Sequence, residues 1–224
     1  MNALYDLLGR QPQALLFDLD GTLIDSAPDL ILAVNAMLSE LNLPSAEPIT
    51  VRSWIGNGAR KLVERALLNA SLSINSQQLD EALEIFFRHY RHHLCDATHL
   101  YEGVMDALNV WQKAGIKMAC VTNKPMRFTE SLLTHFQLDQ FMPVVIGGDS
   151  LPVRKPHPAP LLKACELLGV NASDAIMVGD SSNDVEAARA AGMKVACVSY
   201  GYNHGANIRD TRPDCLVDSF VQLL

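Results

Sequence analysis

The apolar residues Ala14, Leu15, Leu16 and Phe17 stop at a carboxylate, Asp18, and one residue later comes a second, Asp20, followed by Gly21 and Thr22. A short apolar run bounded by turn residues reads as a buried parallel strand. Ligands of open α/β sheets bind at the carboxyl ends of such strands. Two acidic groups so close together at that end repel each other, so they need a purpose or a cation. Asp-x-Asp also opens an EF-hand calcium loop, which wants a ligand at position five, Gly at six and Glu at twelve. Thr22, Leu23 and Asp29 stand there, and the EF-hand reading fails. An Asx turn stays open for either Asp taken alone.

The spacing of the later elements fixes the architecture. A lead-in over 1–12 ends at Pro12, and the first strand is expected over 13–17. From Pro28 to about Leu94 the apolar residues recur at helical spacing. They run Leu30, Ile31, Val34, Met37, Leu38, Leu41, then Leu62, Val63, Ala66, Leu67, then Leu79, Leu83, Phe86, Phe87, Tyr90. Breaks fall at Asn42–Pro44, Glu47-Pro48 and Gly56-Asn57-Gly58. No strand is expected in that block. Beyond Gly103 helix and strand alternate: a helix at 103–114, a strand at 117–121, a helix to about 136, and strands at 143–146, 175–178 and 194–198 with helices between. A last short strand is expected at 215–217. This alternation predicts an α/β fold with a doubly wound, Rossmann-like parallel sheet. A strand–helix–strand unit takes roughly 30 residues, yet the first two strands stand roughly 100 positions apart. The surplus predicts an all-helical insertion over 26–100, hinged near Ser26 and Leu100. It would sit as a lid over the sheet end that carries Asp18 and Asp20, on a core formed by 1–25 and 101–224.

The composition excludes several functions. The 224 residues are 49% apolar and 19% charged, enough for a substantial core. A net charge of −7 repels phosphate backbones and argues against nucleic acid as a partner. No apolar stretch approaches a membrane span, and the N-terminus lacks the basic lead and apolar run of an export signal. Five scattered cysteines, none in Cys-x-x-Cys, read as reduced core thiols of a cytoplasmic protein.

The later strands also end in polar residues: Thr122-Asn123-Lys124 after Val121, Arg154-Lys155 in the loop after Ile146, and Gly179-Asp180-Ser-Ser-Asn-Asp184 after Val178. In a parallel sheet all these ends face one crevice. Each has a structural alternative, Thr122 as an N-cap, Lys155 as a solvated cation, Asp180 or Asp184 as helix-start carboxylates. Four strand ends conforming together argue for a shared site.

Asp18-Leu-Asp20-Gly-Thr22, Thr122, Lys155 and Gly-Asp180-Ser-Ser-Asn-Asp184 resemble, in order and spacing, the four motifs of the haloacid dehalogenase-like phosphatases, and the insertion resembles their type 1 helical cap. The resemblance implies Mg²⁺ held by Asp18, the backbone carbonyl of Asp20 and Asp180, with Asp184 in support. It implies Asp18 as nucleophile through an aspartyl-phosphate, and Asp20 as the acid and then the base. Thr122 and the Asn123 amide would hold phosphate oxygens while Lys155 neutralises charge. The chemistry needs those cations: two unit charges 4 Å apart repel by about 4 kcal/mol at an effective dielectric of 20, and a phosphate dianion about doubles that. Members that displace halide from carbon resemble this pattern without the second Asp, so Asp20 favours phosphoryl transfer.

Within that family, Trp54–Ala59, Val121–Pro125, Val145–Asp149, Lys155–Pro158 and Tyr200–Gly205 resemble segments of bacterial phosphoglycolate phosphatases. The resemblance implies a small phosphate ester as substrate and a monomer or small homo-oligomer. A helix starting near Gly56, Asn57 and Gly58 would offer free N–H groups to a glycolate carboxylate, with Arg60 or Lys61 assisting; a plain helix break is the alternative. His89, His92, His93 and His99 read as a solvated helix end, since zinc wants a closed tetrahedral set. Phe86, Phe87 and Tyr90 read as core. The competing readings are a phosphomutase, a pyrophosphatase, a phosphatase for another small acid such as a sugar acid phosphate, and a phospho-receiver module. The last predicts a chain of roughly 120 residues and gives a lid no role.

Overall fold

The computed structural model describes residues 3–70 and 73–224. The segment read as a lead-in carries a helix, α1 (Ala3–Leu8), while Met1 and Asn2 lie outside the described residues. Leu4 of α1 is buried in the cluster that holds Trp111 and Phe220, which is why this stretch is helical.

β1 (Ala14–Phe17) leads to β2 (Ile24–Asp25), and the insertion follows as α2 (Ala27–Glu40), α3 (Pro48–Arg52), α4 (Ala59–Asn69) and α5 (Ser76–His92). The chain returns through β3 (His99–Leu100) and runs α6 (Val104–Lys113), β4 (Lys117–Val121), α7 (Met126–His135), β5 (Val144–Ile146) and α8 (Ala159–Leu168). It ends with β6 (Ala175–Gly179), α9 (Ser182–Ala190), β7 (Lys194–Val198) and β8 (Cys215–Val217). Among the described residues a parallel six-stranded sheet has the order β5-β4-β1-β6-β7-β8. β1 is central, and the chain builds outward from it first on one side and then on the other, the doubly wound pattern with its crevice at the switch point.

The period-2 alternation of β1 feeds two cores. Leu15 and Phe17 join the cluster on one face, where Phe17 packs on Trp111 with ring centroids 5.6 Å apart. Ala14 and Leu16 join the other, against Leu161, Ala164, Val185 and Ala188. Strands buried on both faces read as unbroken apolar runs, which is how β1, β4, β6 and β7 stand out in sequence.

The insertion has its own cluster of Leu30, Val34, Met37, Leu38, Leu62, Val63, Leu67, Phe86 and Tyr90, into which Phe128 and Tyr202 also reach. Its two connections pair as an antiparallel ribbon, Ile24 opposite Leu100 and Asp25 opposite His99. This ribbon is absent from the sequence reading because two-residue strands carry no periodicity. Asp29 on α2 closes the base of the insertion. It is 1% exposed and accepts hydrogen bonds from the Ala97 and Thr98 amides, at 2.7 Å from the latter, and from the Thr98 hydroxyl at 2.6 Å. The five cysteines are free thiols. No described helix is long and apolar enough to cross a membrane.

Replacing Asp29 with Ala strands these buried donors and is expected to lower stability by about 1–3 kcal/mol, read from urea denaturation at constant m-value. A change below about 0.5 kcal/mol, the range of an ordinary surface substitution, contradicts this role.

Candidate active site

The parallel register aligns the strand ends. Phe17 pairs with Cys120 on one side and Val178 on the other, so Asp18, Val121 and Gly179 follow at one level. The ladder continues one step beyond the strands: the Asp18 amide donates to Val178 O at 2.9 Å and the Thr122 amide to Ile146 O at 2.9 Å. Asp18, Thr122 and Asp180 therefore leave the sheet from fixed backbone.

Lys155 sits among the carboxylates, its Nζ 2.9 Å from Asp18 Oδ1 and 2.7 Å from Asp184 Oδ1. Asp184 Oδ2 accepts from the Asp180 and Ser181 amides and from the Ser181 hydroxyl at 2.8 Å, which caps α9. Both Asp184 oxygens are thus committed to holding Lys155 and the loop. Asp180 receives the Tyr202 amide at 2.7 Å and the Thr22 hydroxyl at 3.2 Å. Close approach is needed on both sides of this loop. A Cβ on Gly179 would fall 2.3 Å from Asp184 Cγ, and one on Gly201 would fall 2.2 Å from Asp180 Cβ.

Asp18, Asp180 and Asp184 offer oxygens within 4.8 Å of one another, all buried. Burial pushes the Asp18 carboxyl up to about 6, with Lys155 opposing and Asp184 adding to the rise. Burial first, then Asp184 and Asp18, push Asp180 well above the carboxylate range. Burial disfavours the Lys155 charge, but Asp18 and Asp184 outweigh it and hold the ammonium protonated. Asp18 Oδ1 is buried and receives no hydrogen bond, its contact with Lys155 being an ion pair of poorer geometry. Asp184 is taken by Lys155 and the loop, but the crowded oxygens of Asp18 and Asp180, one of them without a hydrogen bond, fit a hard divalent cation.

Asp20 lies apart from that triad. Its oxygens face Lys124 Nζ at 2.8 and 3.1 Å, and Oδ1 also accepts from the Ser26 hydroxyl. Burial opposes the Lys124 charge, and Asp20 and then Tyr90 overcome it, so Lys124 stays an ammonium. Lys124 follows Thr122 by two residues in the same strand-end run, and that spacing is the signal a closer reading of the sequence could have used.

The insertion lies against this end of the sheet. Asn123 Nδ2 donates to Gly56 O and to Lys155 O, each at 2.9 Å, and Asn183 Nδ2 donates to Gly56 O at 3.2 Å. Asn57 donates to Asn183 Oδ1 at 3.3 Å and accepts from Arg65 at 2.7 Å. Between insertion and sheet lies a chamber of about 40 Å³. Asp18, Asp20, Thr122, Asn123 and Lys124 line its base, and Gly56, Gly58, Leu30, Leu62, Phe86, Tyr90 and Phe128 its roof and walls. Asn57 and Arg60 face an outer groove instead, and Arg60 pairs with Asp80. Lys61 pairs with Glu64. Gly58 precedes the 11-residue helix α4, the second long helix of the insertion. Of the histidines, His89 meets Glu40 and His93 meets Asp96. Phe86, Phe87 and Tyr90 are buried in the insertion's core, and Phe86 and Tyr90 also form part of the chamber wall.

A family model described as haloacid dehalogenase-like hydrolase matches residues 15–198. The phosphoglycolate phosphatase of Nitrosococcus oceani is 43% identical over 96% of each chain. That of Haemophilus influenzae is 41% identical over 100% of this chain and 99% of its own. A crystal structure of a predicted phosphoglycolate phosphatase from Haemophilus somnus superposes with a TM-score of 0.90 at 38% identity, over 95% of this chain and 96% of that one. The sheet, the buried acidic triad and these matches agree: the chain belongs to the haloacid dehalogenase-like hydrolases.

Proposed function

We propose that this chain is a Mg²⁺-dependent phosphatase that hydrolyses 2-phosphoglycolate to glycolate and phosphate through an aspartyl-phosphate at Asp18. The observation that carries the reading is the buried cluster of Asp18, Asp180 and Asp184 around Lys155, beneath a helical insertion. Full-length similarity to phosphoglycolate phosphatases supports the choice of substrate.

In this reading an Asp18 oxygen attacks phosphorus while the bond to the glycolate oxygen breaks and its electron pair leaves with that oxygen. Asp20, turning from Lys124, gives the departing alkoxide its proton. It then takes a proton from the water that attacks the aspartyl-phosphate, which frees phosphate and restores the Asp18 carboxylate. Thr122 and the Asn123 amide hold phosphate oxygens, and Lys155 offsets the charge that develops on them. Asp18, Asp180 and the Asp20 carbonyl would hold Mg²⁺, whose positive charge would let an anionic nucleophile meet an anionic ester. Asp184 keeps Lys155 and the Asp180 loop in place. Residues 26–100 act as a cap on the core of 1–25 and 101–224, excluding water during the attack. Gly56 and Gly58 shape the roof, and Asn57 and Arg60 serve cap docking and fold.

The test is a panel of small phosphates with Mg²⁺ present or chelated. Phosphoglycolate is expected among the best substrates by kcat/KM, with activity lost on chelation. Activity on the panel with phosphoglycolate among the poorest would remove the substrate assignment and keep the phosphatase. Asp20→Asn separates the acid role from the later base role when read as kcat/KM, which covers only the steps up to departure of the leaving group. The loss is expected to be about 10²-fold or more on alkyl phosphates and far smaller on 4-nitrophenyl phosphate, whose leaving group needs no proton. Equal losses on both classes contradict that role.

Metal binding should depend on pH in a definite direction. Burial holds Asp18 up to about 6 and Asp180 well above its ordinary value, so in mild acid both bind protons in the metal-free fold, and protons compete with a cation. Because unfolding lets these groups ionise in water, the metal-free fold loses stability as pH rises through these raised values. The increase in Tm given by Mg²⁺ is therefore expected to be larger at pH 8 than at pH 5 and absent in Asp180→Asn. An increment independent of pH, or intact in Asp180→Asn, contradicts the assignment.

A further inference from the structure

Arg60 and Asn57 do not line the chamber, which leaves open what receives a negatively charged tail on the substrate. The walls around the tail are largely hydrocarbon: Leu30, Ile55, Leu62, Phe86 and Phe128. A carboxylate pressed against such a wall without a partner costs several kcal/mol, by the general penalty for burying an unpaired charge. Among the described residues that line the chamber, Lys124 is the one with a cationic side chain. Lys155 is already matched by Asp18 and Asp184.

Tyr90 stands beside Lys124. The ammonium lies 4.9 Å from the Tyr90 ring centroid, and the ring is fixed between Phe86 at 5.6 Å and Phe128 at 5.0 Å. Tyr90 is 1% exposed, and its hydroxyl faces the Lys124 ammonium without a hydrogen bond of ordinary geometry. Buried hydroxyls of tyrosine usually find a partner, and a hydroxyl whose neighbour is an ammonium, itself a donor, keeps its own proton for a ligand oxygen. Burial pushes the Tyr90 phenol up, so it remains a donor.

We propose that the Lys124 ammonium and the Tyr90 hydroxyl, one from the sheet end and one from the insertion, form the receptor for a carboxylate on the substrate, and that the substrate displaces Asp20 from Lys124 in binding there. The inference rests on the phosphatase reading and adds to it a means of choosing substrates. In the structure Lys124 holds both oxygens of Asp20. A carboxylate that takes the ammonium leaves Asp20 with the Ser26 hydroxyl alone and free to turn toward the leaving oxygen. An ester with an uncharged tail fits the same walls but leaves Asp20 paired. Selection for a second anionic group thus enters both the binding of the tail and the release of the acid. Because Tyr90 belongs to α5, the receptor is complete only with the insertion seated on the sheet.

The experiment compares kcat/KM for phosphoglycolate with that for ethyl phosphate, a similar ester without the carboxylate, in wild type, Lys124→Met, Lys124→Arg and Tyr90→Phe. Wild type is expected to prefer phosphoglycolate. The ratio should fall roughly 10- to 100-fold in Lys124→Met, as expected for a lost hydrogen bond to a charged group, recover in part in Lys124→Arg, and fall roughly 3- to 10-fold in Tyr90→Phe. Equal losses on both esters mean that Lys124 serves only Asp20 or the phosphate, and overturn the proposal. Tyr90→Phe removes one oxygen from a packed ring, so it decides the matter if Lys124→Met does not fold. A wild-type enzyme active on both esters without preference overturns the receptor and leaves the phosphatase standing. Absence of hydrolysis of either ester with Mg²⁺ present overturns both.

Discussion

Everything at this end of the sheet follows from the difficulty of burying four carboxylates together. Asp18, Asp180 and Asp184 are buried, and Asp20, partly buried, lies in the chamber's base. Two ammonium groups answer them, Lys155 between Asp18 and Asp184 and Lys124 against Asp20. Two positive charges do not balance four negative ones, and burial first, with the neighbouring carboxylates adding to it, displaces Asp18 and Asp180 upward. A divalent cation removes the imbalance. The same deficit that makes the metal-free site unfavourable thus prepares it to take a cation and then an anionic ester, and stability is given up locally for function.

The fold supplies the rigidity this requires. β1, β4 and β6 are buried on both faces and paired in register, so the residues that follow them cannot drift apart. Loops that must come closer than a side chain allows use glycine, Gly179 against Asp184 and Gly201 against Asp180. The Tyr202 loop ties the site to the insertion. Its amide holds Asp180, while its hydroxyl donates to Asp25 and accepts from the Ser26 and Ala27 amides where α2 begins. One residue thus joins the start of the insertion to a carboxylate of the acidic triad.

Much of this was legible in the sequence, and the reasons are specific. β4, β7 and β8 fall where their apolar runs place them, and the insertion declared itself through the distance between β1 and β4. Short elements that depend on tertiary contacts were not legible: α1 is held by Leu4, and the β2–β3 ribbon by two residues on each side. Around the site, Asp18, Asp180, Asp184, Thr122 and Lys155 stood out as polar ends of apolar strands. Lys124 stood in the same polar run without a role of its own, and Tyr90 read as core, because a lysine in a strand-end run and a tyrosine in an apolar helix face each have an ordinary explanation. Arg60 drew attention as a cation near a helix start, and no spacing rule could show that Asp80 on the neighbouring helix takes it.

The central claim is that the imbalance of buried charge is arranged so that one particular carboxylate, Asp18, attacks phosphorus. Borohydride reduces an acyl phosphate to the alcohol and leaves homoserine in place of aspartate. Quenching the enzyme with borohydride during turnover of phosphoglycolate and sequencing its peptides by mass spectrometry tests the claim most directly. The account predicts homoserine at position 18, dependent on both substrate and Mg²⁺. Homoserine at Asp20, Asp180 or Asp184 instead, or turnover that leaves Asp18 unmodified throughout, would contradict it.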